Sequence, residues 1–262
     1  MLAYMQAIWR CRYFWASLVK MDLRTRYRRS ILGMGWSLLH PIAMTIIFCL
    51  VFQHLMMPEE GAAKYAPFLL AGFATWNFIV TSTLQGCQCF FNGEAYIRQY
   101  PAPMAIYPLR TALGGLIHFL IALVVVLLTV WVLHGFGNLL VIWVLIPNMV
   151  LLFAFAWSLA ILAGLANVYF QDTQHLCEVG FQILLYVTPI IYNAKLLRSR
   201  GLGWLSDYNP FAAFLDLIRE PVLEGKLPSL EMYAMACGTL VVVAGAAIFT
   251  LGRCQRRLVF QL

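Results

Sequence analysis

Residues 111–171, TALGGLIHFLIALVVVLLTVWVLHGFGNLLVIWVLIPNMVLLFAFAWSLAILAGLANVYFQ, run for sixty-one positions without an Asp, Glu, Lys or Arg. Asp172 ends the run. No soluble core asks for so long an uncharged stretch. A bilayer's hydrocarbon slab takes about 20 apolar residues per helical crossing, and two such lengths flank the polar, Gly-rich break His134-Gly-Phe-Gly-Asn138. Two helices joined by a tight turn are the economical reading, because backbone polar groups in lipid must be satisfied internally. The chain reads as an all-α, multi-pass membrane protein.

The rest of the sequence agrees. Charged residues make up 11% of the 262 positions, against about 25% in an average soluble domain, and that length is expected to hold one bundle of spans and no separate soluble domain of ordinary size. The net charge of +7 does not point to nucleic acid, because the basic residues gather at the ends of apolar segments, as topology and lipid headgroups require. Cys87 and Cys89 are too close for a normal disulfide, and Cys-x-Cys alone is a weak metal signal. The seven cysteines read as small apolar fillers.

Residues 1–30 form an interfacial segment rather than a span. At helical spacing Tyr4, Ile8, Cys11, Trp15 and Leu18 share one stripe, and Gln6, Arg10, Ser17, Lys20 and Arg24 the opposite one. That pattern suits a helix lying at a membrane surface. It leads into Arg24-Thr-Arg-Tyr-Arg-Arg29, four arginines in six residues. Membrane helices are expected at 33–57, 66–91, 110–133, 139–168, 174–193 and 232–252. The fifth is short and broken by Thr188-Pro189. Residues 194–231 form an external segment of short amphipathic or re-entrant helices. With six crossings and the N-terminus inside, twelve basic residues fall on the cytoplasmic side and six outside. The positive-inside rule therefore places both termini in the cytoplasm.

Several activities are disfavoured. The spans are nearly bare of the acidic groups that usually couple ion gradients to transport; only Glu178 and Arg110 sit at span ends. His40 and His118 lie inside them, where a neutral hydrogen-bonded imidazole is the commoner role. The pair Gly225-Lys226 has Glu220 where a phosphate-binding loop needs its first glycine and Leu227 where it needs a hydroxyl, so this chain does not hydrolyse ATP unaided. Gly35-Trp-Ser37 near His40 lacks the trailing glycine and orienting acid of a serine hydrolase.

The segment Asp22-Leu-Arg-Thr-Arg-Tyr-Arg-Arg-Ser-Ile-Leu-Gly-Met-Gly-Trp-Ser-Leu-Leu-His-Pro41 resembles the start of the permease subunits of polysaccharide ABC exporters, which serve O-antigen, capsule and teichoic-acid export. Asn167-Val-Tyr-Phe-Gln-Asp172, Thr188-Pro-Ile-Ile-Tyr192 and Asn209-Pro210 follow in the same order, so the likeness spans the chain. His40 stands where many members have Asn, and Gln171 where many have Arg.

The resemblance implies an inner-membrane homodimer driven by two separately encoded cytoplasmic ATPase subunits, which bind the ATP and Mg; no cofactor is expected in this chain. It implies that the first and fifth spans line the pathway, with Trp36, His40, Phe48, Phe52, Tyr186 and Tyr192 as candidates. It also implies a coupling helix at 93–100, with Glu94, Tyr96, Ile97, Arg98, Gln99 and Tyr100 meeting the ATPase. The basic segment Arg24, Arg26, Tyr27, Arg28 and Arg29 would meet the phosphate of a lipid-linked glycan, since Arg binds such groups bidentately. Alternatives are an ABC permease for drugs or small lipids, an ATP-independent channel, and a membrane-embedded glycan-modifying enzyme.

Overall fold

The structure, a computed structural model, describes residues 2–28, 30, 33–56, 61–100, 102–135, 137–258 and 261. Helices α1 (Leu2–Arg10) and α2 (Arg12–Arg26) lead to α3 (Trp36–Met56), α4 (Gly61–Cys87), the short α5 (Glu94–Gln99), α6 (Ile106–His134), α7 (Leu145–Tyr169) and α8 (Thr173–Val187). Then come the short α9 (Ala194–Ser199) and α10 (Trp204–Asp207), followed by α11 (Pro210–Arg219) and α12 (Leu230–Leu258). No strand occurs among the described residues.

Among the described residues, four helical stretches are long and apolar enough to cross a membrane: Lys64–Cys87, Ile106–Leu133, Val141–Tyr169 and Leu230–Gln255. The sequence anticipates six crossings. In α3 the qualifying apolar stretch is Leu38–Phe52, short for a span. In α8 the helix stops after 15 residues, not at 193, because Pro189 has no amide hydrogen to continue the ladder. At a rise of about 1.5 Å per residue it covers roughly 22 Å, less than the hydrocarbon slab.

The uncharged run divides as expected. Gly135 ends α6 at φ +74, a backbone shape that glycine adopts without strain. A 3₁₀ stretch, Gly137–Val144, then leads into α7. Helix α4 sits at the centre, packed on α3, α6, α7 and α11. Its crossing with α7 is tight: a Cβ at Gly86 would lie 2.6 Å from Ala160 Cα, and one at Gly164 would lie 2.7 Å from Gly86 O. Small residues let these backbones touch, which is how helices gain packing energy where lipid is as apolar as their side chains.

Among the described residues, two cores follow from this arrangement. The larger holds Phe78, Phe119, Leu152, Phe155 and Phe214, with the Phe155 and Phe214 rings stacked at 4.3 Å. The smaller lies at the end of the bundle that carries α1, α2 and α5, and joins Ile8 and Leu18 to Ile97, Ile106, Ile161 and Leu251. The N-terminal stripe is therefore present, but it faces protein: Ile8 and Leu18 are buried and Tyr4, Cys11 and Trp15 pack on the same cluster. Trp9 and Tyr13, off that stripe, are the exposed aromatics, at 65% and 75%. The segment is also two helices rather than one, bridged across Cys11 by Trp15 Nε1 donating to Ile8 O at 3.2 Å.

Candidate functional site

The basic segment bends back onto the bundle. Asp22 of α2 pairs with Arg110 near the start of α6 at 2.9 Å, with the arginine 6% exposed. Burial raises the Asp22 carboxyl above its ordinary range, against the pull of Arg110 and Arg26. This ion pair fixes where α2 ends, and so where the arginines after it begin.

Just beyond that point a cavity of about 600 Å³ opens between the segment and helices α3, α4 and α6. Arg26, Tyr27 and Ser30 form one wall, and Trp36, His40 and Pro41 of α3 another. Asn77, Phe78 and Thr81 of α4 face His118 and Phe119 of α6 across it. Tyr27 Oη and His118 Nε2 share a hydrogen bond of 3.1 Å, with the rings edge to face at 5.6 Å. The Phe78 and Phe119 rings stack at 5.4 Å. The volume lies in the range of about 300–1,000 Å³ typical of small-molecule sites. Its chemistry is mixed: a guanidinium for an anion, aromatic faces, and amide, hydroxyl and imidazole groups for hydroxyls.

Of the residues that the sequence singles out, the structure brings Arg26, Tyr27, Trp36 and His40 to this one place. Arg24 and Arg28 are exposed outside its lining, and Arg29 lies outside the described residues. Phe48 is elsewhere: its ring packs on Phe52 at 5.3 Å and Phe73 at 5.7 Å, inside the α3–α4 contact. Tyr186 is 63% exposed on α8. Tyr192 is folded back, its hydroxyl donating to Tyr186 O at 2.7 Å and Val187 O at 3.1 Å, where it closes the frayed end of α8.

The segment expected at 93–100 contains a real helix, α5, preceded by a 3₁₀ turn at Phe91–Gly93. It is mounted on the N-terminal helices. Ile97 is buried, and the Phe14 ring sits 6.0 Å from Tyr96 and 5.9 Å from Tyr100. Tyr96 also donates to Met21 Sδ at 3.7 Å. Tyr96 and Ile97 therefore hold the helix in place, while Arg98, Gln99 and Tyr100 face outward. Glu94 and Arg98 pair with each other at 2.9 Å.

Sequence reasoning missed a second polar centre. Arg219, counted among the basic residues of the external segment, is 3% exposed. Its Nη1 and Nη2 donate to Pro189 O at 2.6 Å and Ile190 O at 2.8 Å, and its guanidinium lies 3.8 Å over Phe68. A Cβ at Gly72 would collide with Nη2, so that glycine makes room for it. Around it, Asn209 caps α11 by accepting from Phe211 N at 2.9 Å and donates to Thr188 Oγ1 at 3.0 Å. Tyr65 donates to Ile191 O at 2.8 Å. Asn148 donates to Leu217 O at 2.6 Å and accepts from Tyr233 Oη at 2.7 Å. The legible signals were the pieces Thr188-Pro-Ile-Ile-Tyr192 and Asn209-Pro210, which carry several of these groups, but nothing in the sequence joined them to Arg219.

Residues 13–223 match the family model described as ABC-2 type transporter. The O-antigen export system permease protein RfbA of Klebsiella pneumoniae is 24% identical over 230 residues, 87% of each chain. The protein of the same name from Myxococcus xanthus is 24% identical over 255 residues, 95% of this chain and 96% of its own.

Proposed function

The chain belongs to the ABC-2 type transporter family, and from that premise we propose that it is the permease subunit of an ATP-driven exporter of a lipid-linked polysaccharide. The observation that carries this reading is the cavity at the basic segment. Arg26 there offers bidentate donors to a phosphate or pyrophosphate. Trp36, at the rim, offers an apolar face for a sugar's C–H groups, and Asn77, Thr81 and His40 offer partners for its hydroxyls. Its lining suits a headgroup that is anionic at one end and polyhydroxylated at the other. A drug site would not need an arginine-rich approach. The names of the relatives, both O-antigen export permeases, support the polysaccharide class.

In this reading α1, α2 and α5 lie at the cytoplasmic face of the inner membrane, with both termini there and six crossings once α3 and α8 are added to the four long spans. Residues 194–231 lie outside. Two copies pair along the exposed faces of α3 and α8. On α8, Leu176, Val179, Ile183 and Tyr186 form one apolar stripe at 58–63% exposure. The chain is a transport subunit and not itself an enzyme; membership of this family implies an ABC ATPase partner. Arg98, Gln99 and Tyr100 on α5 form its docking edge, and ATP and Mg belong to that partner.

The test is replacement of Arg24, Arg26, Arg28 and Arg29 together by lysine. Charge and topology are kept, but planar bidentate recognition is lost. Lipid-linked glycan should then accumulate on the cytoplasmic side, and substrate-stimulated ATP hydrolysis in the reconstituted complex should fall. Wild-type export and stimulation would reduce the segment to an anchor in anionic lipid.

A further inference from the structure

The cavity at the basic segment works as an anion site only if Arg26 is aimed into it, because Arg26 supplies the one guanidinium among its described lining residues. That residue is the last of α2 and is itself exposed. The backbone holds it loosely. Just past it, Tyr27 N donates to Leu23 O at 3.3 Å and Arg28 N to Thr25 O at 3.4 Å, longer than the usual distance of about 2.9–3.0 Å. The helix ladder alone does not aim Arg26.

Two side-chain links to α6, the span on which α2 packs, supply what the ladder lacks. The first is Asp22 with Arg110 at 2.9 Å, one helical turn before Arg26 and on the same face of α2. The second is Tyr27, whose Oη lies 3.1 Å from His118 Nε2 and 3.4 Å from Nδ1. Arg110 and His118 are eight positions apart on α6, about 12 Å at helical rise. Links that far apart fix the direction of the segment, where a single link would leave it free to pivot.

Tyr27 also stands where the chain turns. Its carbonyl accepts from Ser30 N at 3.1 Å, so it opens the turn that leads to Trp36 and His40 on the facing wall. An ionisable side chain inside a span is costly and is kept there for a partner or a task. An apolar ring at position 118 would pack on Tyr27 as well, but it would leave the hydroxyl unheld.

We propose that His118 is a positioning residue for this cavity: by holding the Tyr27 hydroxyl it sets the adjacent Arg26 to take a phosphate or pyrophosphate with two parallel donors. His118 acts through Tyr27 and does not itself have to touch the anion. The substrate class rests on the exporter reading; the link from His118 through Tyr27 to Arg26 does not.

The experiment uses the purified full-length protein in nanodiscs of uncharged lipid, with farnesyl pyrophosphate as the probe and calorimetry as the readout. The wild type should bind, and excess inorganic pyrophosphate should compete, because the headgroup makes the contact. Tyr27→Phe keeps the ring and removes the hydroxyl, and should weaken binding about five-fold, as expected for one hydrogen bond. His118→Leu should do the same, and His118→Gln, whose amide reaches the Nε2 position, should restore most of the affinity. Thermal unfolding of each variant shows that it is folded. The decisive arm is Arg26→Lys, which removes the planar fork. In that background Tyr27→Phe should have no further effect, whereas a merely structural role would lower affinity by the same factor in both backgrounds. That equal factor would overturn the proposal, as would no binding by the wild type, no competition by pyrophosphate, wild-type affinity in Tyr27→Phe, or no rescue by His118→Gln. Surface glycan after deletion of the gene is scored separately. If glycan still reaches the surface while probe affinity follows the expected pattern, the exporter reading fails and the role of His118 stands.

Discussion

Replacing Arg219 by methionine should destabilise the protein strongly, although buried ion pairs are often exchanged for apolar side chains at no cost. The difference lies in the partners. Arg219 is satisfied mainly by two backbone carbonyls, Pro189 O at 2.6 Å and Ile190 O at 2.8 Å. Methionine fills most of the volume and keeps contact with Phe68, but it leaves both carbonyls without donors. Pro189 cannot shift the register to find others. Hydrogen bonds to a charged group contribute about 1.5–3 kcal/mol each, so the loss is roughly 3–6 kcal/mol. Asp216 loses its nearest guanidinium as well. For a chain of this size about 1 kcal/mol moves Tm by roughly 2–4 °C, so a fall on the order of 10 °C is expected. The assay is thermal unfolding in detergent followed with a thiol-reactive dye, which the native cysteines report as they become exposed. Adding Asp216→Asn to Arg219→Met should recover part of the loss, because the unpaired carboxylate is removed. A single mutant that melts within about 1 °C of wild type would refute the view that Arg219 holds the α8 junction.

The other expectations concern pH, coupling and topology. Burial lifts the Asp216 carboxyl to about 6, with Arg219 and Arg198 opposing and Glu224 reinforcing. The folded state therefore binds this proton more tightly than the unfolded chain, and the associated stability, at most about 3 kcal/mol, is complete below pH 4 and lost as pH rises through 6. Asp216→Asn should flatten that part of the stability profile. At α5, Arg98→Ala with Gln99→Ala should leave Tm unchanged, since an exposed i,i+4 pair contributes about 0.5 kcal/mol or less, yet should abolish copurification of the ATPase; undiminished copurification would move the docking edge elsewhere. Tyr96→Ala should instead lower Tm, by loosening α5 from Phe14. With the native cysteines replaced, Tyr208→Cys and Leu230→Cys, at positions 81% and 84% exposed, should label from outside the cell and Gln261→Cys should not. Equal labelling at all three would refute the proposed topology.

What could be read in the chain follows from local rules. Uncharged runs of 20 or more residues mark helices that must lie in lipid, and α4, α6, α7 and α12 stand where those runs are. Pro189 and the Gly135 turn end their helices for reasons internal to the residue. The Arg26–His40 stretch is close in sequence, so its convergence on one cavity needed only α2 and α3 to pack on the same helix, α6. The motif pieces were legible as pieces but not as partners.

Sequence by itself thus determined a multi-pass helical membrane chain, its basic segment, the short helix before Pro101 and the helix break at Thr188-Pro189. Only the tertiary structure decided which groups face each other. It turned the N-terminal stripe onto protein, placed Phe48 in a helix contact rather than in the cavity, and joined Asn209 to Thr188. It also buried Arg219, in the expected external segment, beneath the end of α8. The physical reason is that periodicity and hydropathy report what a residue needs, apolar cover or a polar partner. The partner's identity depends on packing between segments as distant as Phe68 and Arg219, and no local pattern encodes that.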